Sequence, residues 1–402
     1  MKALRKFLDR IKPQFEPGGR FQSFRSVFDG FETFLYTPRT TSTSGVHIHD
    51  SIDSKRTMII VVLALLPCFI FGMYNTGFQH WLAAGESEFP FWDLMAYGFF
   101  AILPSVVVSY GVGLGIEFIV AQWRKEEIQE GFLVSGLLIP MICPIETPVW
   151  MIAVATAFSV IFAKEVFGGT GFNIFNPALV TRAFLFFAYP AQMSGDKVFV
   201  ATDTILGFGH TLPDGFTGAT PLAQVATNVG DQLNLTSLSG DAVSTWDMFL
   251  GLIPGSFGET STLCILIGAI ILLVSGIANW RVILSVFVGG ALMAWIANIF
   301  QSPTYAASLL SPIDQLMLGG FAFAAVFMAT DPVTGARTNI GKYIYGFLIG
   351  VMAILIRTYN TGYPEGAMLA ILLMNAFAPL IDYCVVQSNI RRRQRRGITI
   401  KS

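Results

Sequence analysis

The sequence predicts an all-α polytopic membrane protein of about ten transmembrane helices, several short or broken, with both termini cytoplasmic. Three observations carry that expectation. Of 402 residues, 53% are hydrophobic and only 13% charged, where a soluble domain carries about a quarter charged. Apolar runs of membrane-crossing length recur from Thr57 onward. Lys and Arg gather in alternate connections, as they do on the cytoplasmic side of short loops.

The chain divides into a polar, basic region (1–56), a first helix group (57–190), a polar segment with a short apolar stretch (191–261), a second helix group (262–387) and a basic tail (388–402). The first region has no apolar core long enough for a cleaved secretion signal and reads as the start of a mature chain. Within it, Leu4, Phe7, Leu8 and Ile11 recur at helical spacing opposite Lys2, Arg5, Lys6, Arg10 and Lys12. This pattern suits a helix on an anionic membrane surface, and equally one against solvent or a partner.

A crossing helix needs roughly 20 mostly apolar residues. Candidate spans lie near 57–75, 94–122, 131–143, 148–163, 177–190, 262–278, 282–300, 313–330, 341–357 and 366–387. The segments 131–143, 148–163 and 177–190 are short and are separated by Pro, Gly and Asn. Broken helices persist in a bilayer only where protein or a water-filled cavity satisfies the freed backbone, so these breaks point to a site inside the bundle. Misplaced boundaries are the plainer explanation. With the amino terminus inside, ten spans leave Lys197 and Arg357, of 25 basic residues, on the outer side. The acidic stretch 191–246 then faces outward.

Cys68, Cys143, Cys264 and Cys384 stand singly in or beside apolar spans, and His47, His49, His80 and His210 form no metal-ligand pattern, so no iron–sulfur or zinc framework is legible. Nor is there a nucleophile triad or a glycine-rich phosphate loop. What does carry chemistry is Asp214-Gly215-Phe216-Thr217-Gly218-Ala219-Thr220 in the outward segment. A threonine hydroxyl flanked by small residues can be reached by a transferase and esterified, which makes Thr220 a candidate anchor. Glu117, Asp331 and Asp382 are carboxylates in or at the ends of apolar spans, all toward the cytoplasm. Such groups are expensive in a bilayer and usually face a partner, water or a cation. Gly111-Val112-Gly113-Leu114-Gly115 permits close approach of a helix or a flat ring, with helix packing the commoner use. Finally, Glu165, Thr170-Gly171 and Asn173 echo Asp331, Thr334-Gly335 and Asn339, a weak sign that two broken cytoplasmic elements flank one site.

The chain resembles the B-type subunit of the sodium-translocating NADH:quinone oxidoreductases of bacteria. The likeness runs through Phe15-Glu16-Pro17-Gly18-Gly19, Ala163-Lys164-Glu165-Val166-Phe167-Gly168-Gly169-Thr170-Gly171, Asn176-Pro177-Ala178-Leu179 and Arg182-Ala183-Phe184-Leu185-Phe186-Phe187-Ala188-Tyr189-Pro190. It continues through the Thr220 motif, Ile253-Pro254-Gly255-Ser256, Met328-Ala329-Thr330-Asp331-Pro332 and Tyr363-Pro364-Glu365-Gly366. The resemblance implies FMN attached to Thr220 through a phosphoester, with Thr217 standing where relatives often have Ser. It implies an electron path from an outward-facing, membrane-anchored flavoprotein subunit to this FMN, then to a noncovalent riboflavin and on to ubiquinone near the cytoplasmic side. Thr170, Asn173 and Asn176 are the expected riboflavin neighbourhood, Gly113 and Gly115 the candidate quinone region, and Glu117, Asp331 and Asp382 the candidate sodium pathway.

With no dinucleotide fingerprint in the sequence, NADH oxidation falls to another subunit of the complex. The expected setting is the bacterial inner membrane, with lipid and quinone as further partners and no nucleic acid. Two alternatives stay open. One is the related D-type subunit of the ferredoxin:NAD electron-transfer complex, which starts closer to its first span than the long polar region here. The other is a channel or secondary transporter without a redox cofactor.

Overall fold

The computed structural model describes residues 2–16, 18–22, 25–36, 44–46, 52–86, 88–124, 131–193, 198–212, 216, 218–228, 233–302, 305–360, 362 and 365–401. These form helices α1 (Lys2–Ile11), α2 (Arg25–Leu35), α3 (Ser54–Ala83), α4 (Phe91–Arg124), α5 (Phe132–Ile142), α6 (Val149–Ser159) and α7 (Pro177–Ala188). There follow α8 (Pro221–Thr227), α9 (Thr245–Leu250), α10 (Thr262–Val274), α11 (Trp280–Ile299), α12 (Pro312–Met317), α13 (Phe321–Phe323), α14 (Asn339–Tyr359) and α15 (Ala367–Lys401). Wide π turns extend α6 over Val160–Lys164 and α13 over Ala324–Met328.

Among the described residues six helices are long and apolar enough to cross a membrane: Ser54–Ala83, Phe91–Arg124, Val149–Phe167, Trp280–Ile299, Asn339–Tyr359 and Ala367–Arg396. Three more are apolar but short, Phe132–Ile142, Pro177–Ala188 and Thr262–Val274. The expected span at 313–330 is divided, because Gly319 (φ 60°) and Gly320 (φ 68°) adopt left-handed backbone between α12 and α13. The expectation of a short span at 148–163 is corrected: the helix runs on through Lys164 and Glu165 to Phe167. Charge ends the apolar run there, but Lys164 is buried against Glu117 and the helix continues past it. The other two short spans are short in the structure as well.

Close backbone approach between helices is built on glycine. A methyl group at Gly98 of α4 would lie 1.9 Å from the Met73 carbonyl of α3, and one at Gly350 of α14 would lie 2.1 Å from the Val286 carbonyl of α11. Small residues at such crossings let helices associate by van der Waals contact where lipid offers no hydrophobic drive.

The connections collect at two ends of the bundle. At one end, Tyr97 donates to the Asp203 carbonyl (2.7 Å), His80 Nδ1 donates to the Ala201 carbonyl (2.6 Å), and the His210 N–H donates to His80 Nε2 (2.8 Å). Those two bonds fix the imidazole tautomer. Glu146 accepts from the Thr202 N–H (2.8 Å), and Asn75 donates to the Ile253 carbonyl (3.0 Å). The segment carrying Thr220 is thereby tied to the α3–α4 and α5–α6 connections. Arg357, expected as an outer-side charge, is buried at this end and donates to the carbonyls of Gln315 (2.5 Å) and Gly319 (3.2 Å).

At the other end, Arg124 donates to the Glu165 carbonyl (2.7 Å), Arg281 to Asn339 Oδ1 (3.1 Å), and the Arg337 N–H to Asp382 (2.7 Å). The amino-terminal helices pack on each other and reach the start of α3 through Thr33, to which Lys55 and Arg56 donate. Glu32 is buried between Arg5 (3.0 Å) and Lys12 (2.8 Å), and Phe15 stacks on Phe28 with ring centroids 4.7 Å apart. Arg5 and Lys12, basic residues of the face read as meeting lipid, solvent or a partner, thus pair with Glu32 while staying half-exposed, and Leu4 and Phe7 of α1 are 46% and 58% exposed.

Candidate functional site

Thr220 is the N-cap of α8. Its Oγ1 accepts from the Ala223 N–H at 3.2 Å, Pro221 occupies the first helical position, and the turn is half-buried. Among the described residues the Thr220 O–H has no protein acceptor. Gln224 holds the turn in place by donating to the carbonyls of Ala219 (3.2 Å) and Thr236 (2.8 Å). Gly218 is buried because Val200 leaves no room: a Cβ there would meet Val200 Cγ2 at 2.7 Å. Asp214, Gly215 and Thr217 of the motif lie outside the described residues.

Thr220 lines a partly open cleft of about 60 Å³, together with Phe186, Phe199, Leu222, Ile253, Met317 and Gly319. Glu259 and Glu365 also line it, and both pair with Arg182, Glu259 at 2.8 Å. This buried cluster is absent from the sequence-level candidates. The signal was present: Arg182 is a charge inside an apolar span, the same kind of anomaly that marked Glu117. Burial pushes the Glu259 carboxyl up to about 7, with Arg182 pulling the other way and Glu365 adding to the rise. Gly320 makes room for it, since a Cβ there would lie 2.6 Å from the Glu259 carboxyl.

The three acids lie at the opposite end, each with its own partners. Glu117 on α4 pairs with Lys164. Asp331 accepts from the Val333 N–H (3.0 Å), Thr334 Oγ1 (3.0 Å) and Asn176 Nδ2 (3.5 Å), and burial raises its carboxyl. Asp382 accepts from the N–H groups of Arg337 (2.7 Å) and Thr338 (3.0 Å) and from the Thr338 hydroxyl (2.6 Å). No hydrogen bond or ion pair joins these acids to one another, and among the described residues no three His, Cys, Asp or Glu side chains converge in metal-holding geometry.

The expected riboflavin neighbourhood is brought together only in part. Asn176 caps α7 by accepting from Ala178 N–H (3.0 Å) and also reaches Asp331, while Asn173 donates to the Phe175 carbonyl (3.0 Å). Thr170 Oγ1 is buried without a partner against Gly131. The two broken elements suspected from the weak repeat do therefore touch, through Asn176 and Asp331. At the candidate quinone region, Gly113 is buried against Phe132, whose ring would lie 2.0 Å from an added Cβ, whereas Gly111 and Gly115 face open space. Cys68 and Cys143 are buried, Cys264 is half-buried, and Cys384 is exposed; all four are free thiols. His47 and His49 lie outside the described residues.

The sequence model of the "NQR2, RnfD, RnfE" family matches residues 41–391. The chain is 44% identical, over 98% of its length and 96% of the relative's, to the B-type subunit of the Na(+)-translocating NADH-quinone reductase of Chromohalobacter salexigens. It is 43% identical to the corresponding subunit of Azotobacter vinelandii, over 98% of this chain and all of that one, and 42% identical to that of Neisseria meningitidis serogroup B, over 98% and 99%. A match of this extent leaves no part of the helix bundle outside the likeness, and the chain belongs to the NQR2, RnfD, RnfE family.

Proposed function

We propose that this chain is a membrane subunit of a Na(+)-translocating NADH-quinone reductase, carrying electrons from covalent FMN on Thr220, by way of riboflavin, to ubiquinone with coupled sodium export. The observation that carries the reading is the placement of Thr220: a hydroxyl with an uncommitted proton, on the rim of an apolar cleft, in a chain similar end to end to proteins named for that activity. The mostly apolar lining of the cleft suits contact with a planar aromatic group, as ligand sites are predominantly apolar with a few placed polar groups. Thr220 would hold the phosphate end, and Phe186, Phe199, Leu222 and Ile253 would flank the ring. Bound flavin supplies one- and two-electron chemistry, while the protein sets orientation and electrostatics. The Arg182, Glu259 and Glu365 cluster at the floor fixes the charge beneath it.

At the opposite end, Glu117, Asp331 and Asp382 supply the hard oxygen atoms that a sodium pathway needs, and Thr170, Asn173 and Asn176 supply hydrogen-bonding groups for riboflavin. The α4 surface around Gly113 and Gly115 is the candidate quinone region. We place the complex in the bacterial inner membrane, with Thr220 outward, and assign NADH oxidation and the outward flavoprotein to partner subunits. The D-type subunit of the ferredoxin:NAD complex belongs to the same family. The packed amino-terminal unit α1–α2 and the full-length likeness to the B-type subunits favour the first reading.

Thr220→Val is expected to abolish the flavin fluorescence that stays with the chain on a denaturing gel. Persistence of the fluorescent band would overturn the assignment of the anchor, and an absorption spectrum of purified chain without flavin bands would overturn the redox reading altogether.

A further inference from the structure

Lys164 occupies an unusual place for an ammonium group. It is 4% exposed, it rests on Glu117, itself 5% exposed, and its Nζ lies 6.0 Å from the centroid of the Phe132 ring. Among the described residues one of its three donor positions is used, by Glu117 Oε1. Glu117 Oε2 is buried with no hydrogen-bond partner, and so is Thr170 Oγ1, which packs against Gly131 next to Phe132. Glu117 therefore offers a buried acceptor oxygen that the ammonium does not take up, and oxygen is what a hard cation prefers.

The local charges also balance in a telling way. Facing Glu117 are Lys164 and Glu165 from the extended α6, and Glu165 pairs with Arg124 of α4 at 3.6 Å. Among the described residues these two acids and two bases sum to zero, so departure of the Lys164 ammonium leaves Glu117 uncompensated unless a cation or a proton takes its place. The backbone permits such a departure. Lys164 ends the π turn Val160–Lys164 with an irregular conformation (φ −124°, ψ −63°), and Gly168 and Gly169 follow in left-handed backbone at φ 118° and 90°. A π turn carries one more residue per turn than its helix needs, which makes its end a place where a short rearrangement is cheap.

We propose that Lys164 is a tethered cation that fills the Glu117 site and is displaced one-for-one by the transported sodium ion, which makes it a positioning and selectivity residue for that ion. The inference rests on the reading of Glu117 as part of the sodium pathway. Exchange of one cation for another keeps the pocket neutral and requires no bond to break, and occupancy by the ammonium sets how much sodium is needed.

The test is sodium binding to the assembled complex, measured with radioactive sodium at equilibrium and alongside sodium-dependent quinone reduction. If the ammonium fills the site about nine-tenths of the time, its removal lowers the half-saturating sodium concentration on the order of tenfold. Lys164→Met and Lys164→Gln are expected to show that fall, while Lys164→Arg, which keeps the charge, stays near the parent value. The proposal is overturned by unchanged half-saturation in the neutral variants, by the same fall in Lys164→Arg, or by failure of both neutral variants to assemble, which would make the pair purely structural. Glu117→Gln, run in parallel, separates the two levels: unchanged sodium binding there rejects Glu117 as a ligand, whereas a shift there with none in the Lys164 variants rejects the displacement alone.

Discussion

Gly113 and Gly115 sit two residues apart on α4 and have opposite surroundings, which turns a motif into a pair of distinct predictions. A Cβ at position 113 would meet the Phe132 ring, whereas position 115 has open space. Gly113→Ala is expected to destabilise the purified protein by about 1–3 kcal/mol through overpacking. Gly115→Ala should leave thermal stability unchanged, and a raised quinone KM in it would place the quinone on that face. At the other end, Glu259 gives a pH signature. Its folded carboxyl is raised from an ordinary 4.5 to about 7, so between those values the folded protein binds more protons than the unfolded chain. The stability it contributes is present below pH 4.5 and is lost as pH rises through 7. Melting temperature should fall over that window, and Glu259→Gln should flatten the fall; an equal slope in the variant would show that other groups set it.

The helices that matter most are those that depart from regular geometry. The π turns at Val160–Lys164 and Ala324–Met328 each precede an irregular segment, and the two segments meet where Asn176 reaches Asp331. Composition gave a hint of this pairing, yet nothing in residue order reveals a π turn, since it costs one backbone hydrogen-bond shift and has no residue signature of its own. The α3–α4 hairpin rests on close approach at Gly98, where a methyl would lie 1.9 Å from a backbone oxygen. Gly98→Ala should therefore part the hairpin and loosen the 198–212 segment pinned by His80 and Tyr97. The check is proteolysis of the 198–228 region, which should become faster; unchanged cleavage would mean that the segment is held from elsewhere.

For the whole molecule, the Thr220 segment and the three acids lie at opposite ends of the bundle, which the proposed function reads as a flavin-attachment end and a sodium-entry end. Glu117→Ala and Asp382→Ala are expected to raise the sodium concentration for half-maximal quinone reduction, and an unchanged sodium dependence in both would reject the pathway. Asp382 carries a second burden, since it caps the 337–338 turn with three hydrogen bonds, so its variant should also lose stability where Asp382→Asn loses less.

The all-helical membrane class and the positions of the long apolar helices were legible in the sequence, because hydrophobic length is a local property, and a local small-residue motif singled out Thr220 as the anchor proposed above. So was the expense of a buried acid. Which acid pairs with which base was not, because partners such as Lys164 for Glu117 and Arg182 for Glu259 and Glu365 are distant in the chain and meet only when helices pack. The same holds for the cleft below Thr220, whose walls come from residues between Phe186 and Glu365. Sequence alone determined which segments are apolar enough to lie in a membrane. Tertiary structure decided where charge is neutralised, because only packing sets the distances on which Coulomb energy and desolvation depend.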